Sequence, residues 1–161
     1  MAARQVLGWR EWLALPDLGI QAIRAKLDTG ARSSALHVET METFQSAGRE
    51  WVRFTVAPGL DDDRPVLVES TIHDRRPVTD SGGHTTERIF IRTRLLLAGK
   101  SLMVEMNLTS RRNMLFPMLL GRTALGRHFL IHPARSFVLG KNPRDQQVGL
   151  QQAKRSQQVG P

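Results

Sequence analysis

Ala25-Lys26-Leu27-Asp28-Thr29-Gly30-Ala31 decides the reading of this chain. The stretch leading into it, Ile20 to Leu27, sets apolar residues 23, 25 and 27 against polar 24 and 26, the period-two spacing of a strand with one buried face. Asp28-Thr29-Gly30 then breaks that strand sharply, because Asp and Gly favour turn geometry. A carboxylate carried into a tight turn by an apolar strand is held at the end of a buried element, where a solvent-facing turn aspartate has no reason to be. By itself, the tripeptide equally describes an ordinary turn.

The flanking sequence is rich in strand signals. Pro16-Asp17-Leu18-Gly19 reads as a turn. Glu50 to Val56, Pro65 to Ile72, Glu87 to Leu97 and Ser101 to Leu108 read as strands, and residues 73 to 97 as one extended hairpin with a mobile glycine-rich tip, Asp80-Ser81-Gly82-Gly83-His84. Met118 to Gly121 is a short apolar strand ending in glycine, and Arg122 to Arg127 starts a short helix. Phe129 to Ile131 and Ser136 to Leu139 are expected closing strands around Pro133. Residues 142–161 are glutamine-rich without a periodic face and read as a disordered tail after a domain spanning 1–141.

Composition bounds the function. At 161 residues with 40% apolar content, the chain can bury a core without cross-links. It has no cysteine, which removes thiolate nucleophiles, disulfides and cysteine-zinc sites. No apolar run reaches membrane-spanning length, and the first residues lack a signal-peptide core, so the expected location is the cytoplasm, away from membranes. The formal charge of +8, carried mostly by arginine, favours acidic partners, since guanidinium groups bind carboxylate and phosphate bidentately.

Asp28-Thr29-Gly30-Ala31, a glycine-tipped hairpin, then Leu119-Leu120-Gly121-Arg122 and a short helix, in that order, resemble the retropepsin-like aspartic peptidases. The likeness is closer still to a bacterial branch labelled ATP-dependent zinc proteases and encoded near ATP-grasp glutamate ligases. Its recurring stretches stand here as Gly8-Trp9-Arg10-Glu11-Trp12, Ile23 to His37, Val78 to His84 and Met118 to Leu125, within roughly residues 7–140. The resemblance implies an all-β, closed acid-protease-like (retropepsin) barrel with one short helix. It also implies a homodimer, because the chain holds one Asp-Thr-Gly and too few residues for a second lobe. Asp28 would be half of the catalytic dyad, with Thr29 and Gly30 as its scaffold. Two carboxylates about 3 Å apart repel by on the order of 5 kcal/mol at an effective dielectric of ~20, so such a pair shares one proton; aspartic proteases are the standard example.

One departure bears on substrate. Retroviral members follow Asp-Thr-Gly-Ala with a second aspartate that pairs with the arginine of Gly-Arg; here that position is Arg32, which leaves Arg122 without its expected partner. Ala31, Arg32, Arg122, the flap residues Ser81, Gly82, Gly83 and His84, and the hairpin's Arg76 and Arg88 are the expected substrate contacts. Arg92 and Arg94 read instead as a solvated face. By resemblance, the substrate is a glutamate-rich peptide, in particular the poly-glutamate tail that an ATP-grasp ligase adds to a small-subunit ribosomal protein, with the ligase as a further partner. No cofactor is expected. The histidines His37, His73, His84, His128 and His132 supply no His-Glu-x-x-His, and His128 and His132 lack a third ligand; no phosphate-binding glycine loop is present for ATP. The alternative is a non-enzymatic basic module docking on RNA or the ribosome. It explains the charge but not Asp28 on its strand, and with 6% aromatics and no tyrosine the chain lacks the stacking pattern of RNA-binding sheets.

Overall fold

A computed structural model describes residues 3–59, 64–110 and 115–141; the expected tail at 142–161 lies outside them. In chain order the elements are β1 (Gln5–Gly8), β2 (Arg10–Leu15), β3 (Ile20–Leu27), β4 (Ser34–His37), β5 (Thr40–Ser46), β6 (Arg49–Val56), β7 (Val66–Thr71), β8 (Asp74–Thr79), β9 (Thr85–Leu97), β10 (Lys100–Thr109), β11 (Met118–Leu120), α1 (Arg122–Leu125) and β12 (Phe129–His132). Alternation explains the longest of them. In β9, Ile89, Ile91, Thr93, Leu95 and Leu97 turn inward while Arg92 and Arg94 face solvent. The core gathers these residues with Ile23, Ala25 and Leu27 of β3, Leu36 of β4, Met106 and Leu108 of β10 and Met118 and Leu120 of β11.

Seven strands form one sheet in the order β10-β4-β11-β3-β2-β9-β8, and β9 also pairs with β10, so the sheet rolls on itself. β5, β6 and β7 form a separate meander, which contributes Val52, Phe54, Val56 and Val68 to the core, and β1 pairs only with β12, in parallel. The strands therefore do not close into the single barrel expected from sequence. Where the roll would close, β2 meets β9 at one paired position, Ala14 with Leu96, beside an irregularity between Leu13 and Leu15 that interrupts the ladder. Among the described residues, no helix is long and apolar enough to cross a membrane.

The second correction concerns Ser136 to Leu139, which is not a strand. Its backbone amides are spent elsewhere: Phe137 donates to the Arg10 carbonyl at 2.9 Å and itself sits at a φ of 51°, outside extended geometry. The fully buried Glu11 takes the next two. Its carboxylate accepts from Gly8 at 2.7 Å, Val138 at 3.0 Å and Leu139 at 3.2 Å. Gly8 is glycine for a steric reason, since a Cβ there would lie 2.5 Å from the Arg135 carbonyl oxygen. Glu11 thus straps the chain after β12 onto the β1–β2 corner. Removing its side chain by Glu11→Ala strands three amides where water does not reach freely, a loss on the order of 3 kcal/mol. Urea unfolding followed by circular dichroism should show it; an unchanged midpoint would mean that the strap contributes nothing.

Candidate active site

β3 ends in the Asp28 turn, and the turn is fixed from both sides. Leu27 N–H donates to the Trp9 carbonyl and Asp28 N–H to the Leu120 carbonyl, each at 2.8 Å. Within the turn, Gly30 N–H donates to Asp28 Oδ1 at 2.9 Å. β11 lies between β3, in parallel, and β4, antiparallel, so Leu120 sits beside Leu27 and Met118 beside Leu36. The chain then passes the outgoing arm of the turn at closest range. A Cβ on Gly121 would fall 2.6 Å from the Ser33 carbonyl oxygen, so only glycine fits. Three donors use that approach: Arg122 N–H to the Ala31 carbonyl at 2.8 Å, Thr123 N–H to Arg32 at 3.1 Å, and Gly121 N–H to Ser34 Oγ at 3.1 Å. Asp28 itself remains half-buried at the surface of this frame.

It opens onto a cleft of about 1010 Å³. One wall is Asp28, Gly30, Ala31, Arg32 and Ser33; another is the hairpin from Arg76 to Ser81; Ala35, Leu119, Thr123 and Ala124 contribute from β4, β11 and α1, and β9 and β10 complete the lining. Register explains that last group. Arg88, Phe90 and Arg92 alternate onto one face of β9, and their neighbours Asn107 and Glu105 on β10 stand opposite Phe90 and Arg92. Of the residues expected from sequence, Asp28, Gly30, Ala31, Arg32, Arg76, Ser81 and Arg88 line the cleft. Thr29 is exposed beside it. Gly82, Gly83 and His84 form the exposed tip without lining the cleft, where the Asp80 carboxylate accepts from Gly82 and His84 N–H at 2.9 and 3.0 Å. Arg122 does not line it either. Deprived of an aspartate partner, it turns back and donates through Nη1 to the Thr29 carbonyl at 3.0 Å, bracing the turn. Arg92, read from sequence as solvated, is a cleft residue; its i, i+2, i+4 spacing with Arg88 was the signal available. Asn107 gave no distinctive sequence signal, being one of several polar residues in β10.

The cleft arginines divide by what holds them. Arg76 lies 4.5 Å over the Phe90 ring and pairs with Asp74 at 2.6 Å and Glu105 at 2.9 Å. Those hydrogen bonds raise its pKa, while Arg76 and the Arg75 amide hold the Asp74 carboxyl below its ordinary range. Arg88 donates to Asn107 Oδ1 at 3.1 Å, and the buried Asn107 donates to the Ser34 carbonyl at 2.9 Å, which ties Arg88 to the strand leaving the Asp28 turn. Arg32 and Arg92 are exposed and have no ion-pair partner among the described residues.

Zinc ligands are not assembled. His73 pairs with Glu105, His84 lies by Asp80, His132 Nδ1 accepts from Ala134 N–H, and among the described residues no three His, Cys, Asp or Glu side chains converge. The donor set among the described residues does not fit the metal of the zinc-protease label.

A β-rich lobe with one Asp-Thr-Gly turn strapped to a Gly-Arg strand is the arrangement that the retropepsin resemblance led to expect. The comparisons agree: residues 6–142 match the family model for the RimB-like, retropepsin-like aspartic endopeptidases, and the chain belongs to that family. A protein of Shewanella pealeana named "Probable alpha-L-glutamate ligase" is 36% identical over 156 residues, covering 94% of this chain and 34% of its own length. A protein of Desulfotalea psychrophila with the same name is 40% identical over 140 residues, covering 86% of this chain and 30% of its own. The chain thus spans about a third of the length of these relatives. A crystal structure of a Legionella pneumophila protein of unknown function superposes with a TM-score of 0.70 at 27% identity, over 84% of this chain and 98% of that one.

Glu105 provides a test of the arginine network. Burial raises its pKa, but the Arg76 contacts and His73 outweigh that and leave it below the ordinary 4.5. A carboxyl whose folded pKa is depressed stabilises above its unfolded pKa, and that contribution disappears as pH falls through the folded value. Wild type should therefore melt above Glu105→Gln at pH 7, with the gap closing as pH drops below about 4.5. A gap independent of pH in calorimetry would assign Glu105 a packing role instead.

Proposed function

We propose that this protein is an aspartic endopeptidase in which Asp28 from each of two protomers forms the catalytic dyad. The carrying observation is Asp28 itself, held by backbone hydrogen bonds on a turn that opens into an arginine-lined cleft. One ionised carboxylate takes a proton from water as the water attacks the peptide carbonyl. The protonated partner polarises the carbonyl oxygen, and a proton then passes to the departing amine. A single half-site calls for a two-fold, isologous dimer with the dyad on its axis, and the hairpin closes over the bound peptide and excludes water.

The substrate in this reading is a glutamate-rich peptide, in particular a poly-glutamate tail on a small-subunit ribosomal protein in the cytoplasm. Arg32 and Arg92 support it as cations with no carboxylate partner among the described residues. The relatives support it too: their name concerns glutamate ligation, and two-thirds of their length lies beyond the part that matches this chain. The glutamate ligase is accordingly the natural partner, one activity extending the chain that the other cuts.

Asp28→Asn should lower kcat/KM on a glutamate-tailed protein by roughly 10³-fold or more while leaving the circular dichroism spectrum unchanged. Mass spectrometry of the incubated substrate reads the cleavage, and full activity in the variant would sink the dyad. Dilution gives an independent check of assembly. Activity per chain should fall as sedimentation shows dimers giving way to monomers, and a monomer that cleaves at full rate would refute the shared site.

A further inference from the structure

A second pocket of about 600 Å³ adjoins the cleft and plays no part in the mechanism above. It lies at the base of the hairpin, where the chain crosses from β7 to β8. Ile72 N–H bonds to the Glu50 carbonyl at 3.1 Å and His73 N–H to the Phe90 carbonyl at 2.8 Å, so the crossing is stitched to both β6 and β9. Arg49, Glu50, His73, Asp74, Arg75 and Arg92 line it, and Arg92 lines the catalytic cleft as well, so the two spaces meet at that side chain.

Charge matching inside the pocket is one-sided. Glu50 is taken by Arg75, Asp74 by Arg76, and His73 lies 2.9 Å from Glu105, outside the pocket. Both carboxylates of the wall are therefore already neutralised. Arg49 and Arg92 have no ion-pair partner among the described residues. The geometry points to a distal anion subsite: we propose that an acidic chain leaving the catalytic cleft passes Arg92 and places its far carboxylates against Arg49, so that the protein binds long glutamate chains in preference to short ones. This rests on the acidic-peptide reading above and extends it to chain length.

Spacing favours such an occupant. β9 rises about 3.4 Å per residue, so Arg88 and Arg92 stand roughly 13–14 Å apart along it. An extended peptide beside β9 repeats same-side carboxylates about every 7 Å, in step with that face of the strand. A dipeptide held near Asp28 cannot also reach beyond Arg92; a chain of several glutamates can. The pocket offers no Phe or Trp ring on which a nucleobase could stack, which favours a carboxylate chain over RNA.

The test compares a glutamate dipeptide with a glutamate octapeptide, each fluorescently labelled. Binding is measured on the non-cleaving Asp28→Asn protein, and kcat/KM on the active one using the same two chains fused to a reporter. The Asp28→Asn protein should prefer the octapeptide, and adding Arg49→Glu should shrink that preference by roughly tenfold, the size of one lost charge-assisted contact. Arg94→Glu makes the same change of charge on exposed β9 but lines neither pocket, and it should leave the preference largely intact. Equal losses in the two variants would overturn the subsite, because the general field would then suffice. Arg49-dependent binding of single-stranded RNA, with none of the octapeptide, would overturn it in favour of a phosphate ligand. The two readings fail separately. Arg49-dependent length preference without cleavage sinks the peptidase and keeps the subsite; cleavage without length preference does the reverse.

Discussion

The approach of Gly121 to the Arg32–Ser33 backbone is the constraint on which the site depends. At that point two chain segments pass so closely that a single methyl group would lie 2.6 Å from a carbonyl oxygen. Glycine removes the obstacle, and the segments then exchange three hydrogen bonds, two between backbone groups and one from Gly121 N–H to the Ser34 hydroxyl. β11 can therefore run between β3 and β4, accept the Asp28 amide at Leu120 and receive both arms of the turn. The carboxylate inherits its rigidity from backbone geometry. A site built this way tolerates change in its surrounding side chains, which is how Arg32 can replace the acidic residue of retroviral relatives without loss of the turn. Arg122 still braces it, through the Thr29 carbonyl instead of a carboxylate.

Around that fixed point the arginines do different things despite identical chemistry. Arg76 and Arg88 are held, one by Asp74 and Glu105, the other by Asn107, and such contacts fix their direction at the cost of part of their pull on an incoming anion. Arg32 and Arg92 have no carboxylate partner among the described residues and keep that pull whole. A lined cleft focuses such charge better than an open face, because its low-dielectric walls confine the field. The net charge of the chain is thus a poor guide to where an anion binds; what matters is which cations the fold leaves unmatched.

Sequence legibility followed the same physics. β3 and β9 were readable because each buries one face and shows period-two alternation, and β11 and α1 were readable from the apolar run ending at Gly121. β2 was not, since Glu11 to Leu15 are buried on both faces and no alternation survives. Nor was β5, whose residues are nearly all exposed and whose pairing with β6 comes from backbone bonds and cross-strand contacts such as Phe44 with Trp51. Ser136 to Leu139 looked like a strand because its composition is strand-like, but a buried glutamate eleven residues from the N-terminus captures its amides. The structure places the exposed Arg92 in the cleft, where strand parity sets it on the same face as Arg88, and Arg122 outside it, against the Thr29 carbonyl. Asp28 itself was legible; the partners that hold it were not, because long-range backbone bonds leave no local trace.

The long strand β9 belongs at one end to the core and at the other to the hairpin that lines the cleft. From Ile89 to Leu97 it is locked into the core by alternate buried side chains and by pairing with β10. From Thr85 to Arg88 it pairs only with β8 and stands clear of the core, and the hairpin tip satisfies its own polar groups through Asp80. The outer half is tied to the rest of the lobe more sparsely than the inner half, chiefly through Arg88 to Asn107 Oδ1 and Arg76 to Glu105, the bonds that a change of its angle would break. Phe90, buried under the Arg76 guanidinium, marks the change between the two. Arg88 and Arg92 flank that residue. In the proposed function, an acidic chain gripped by both would bridge the two halves of the strand, so that its contacts would also favour closure over Asp28.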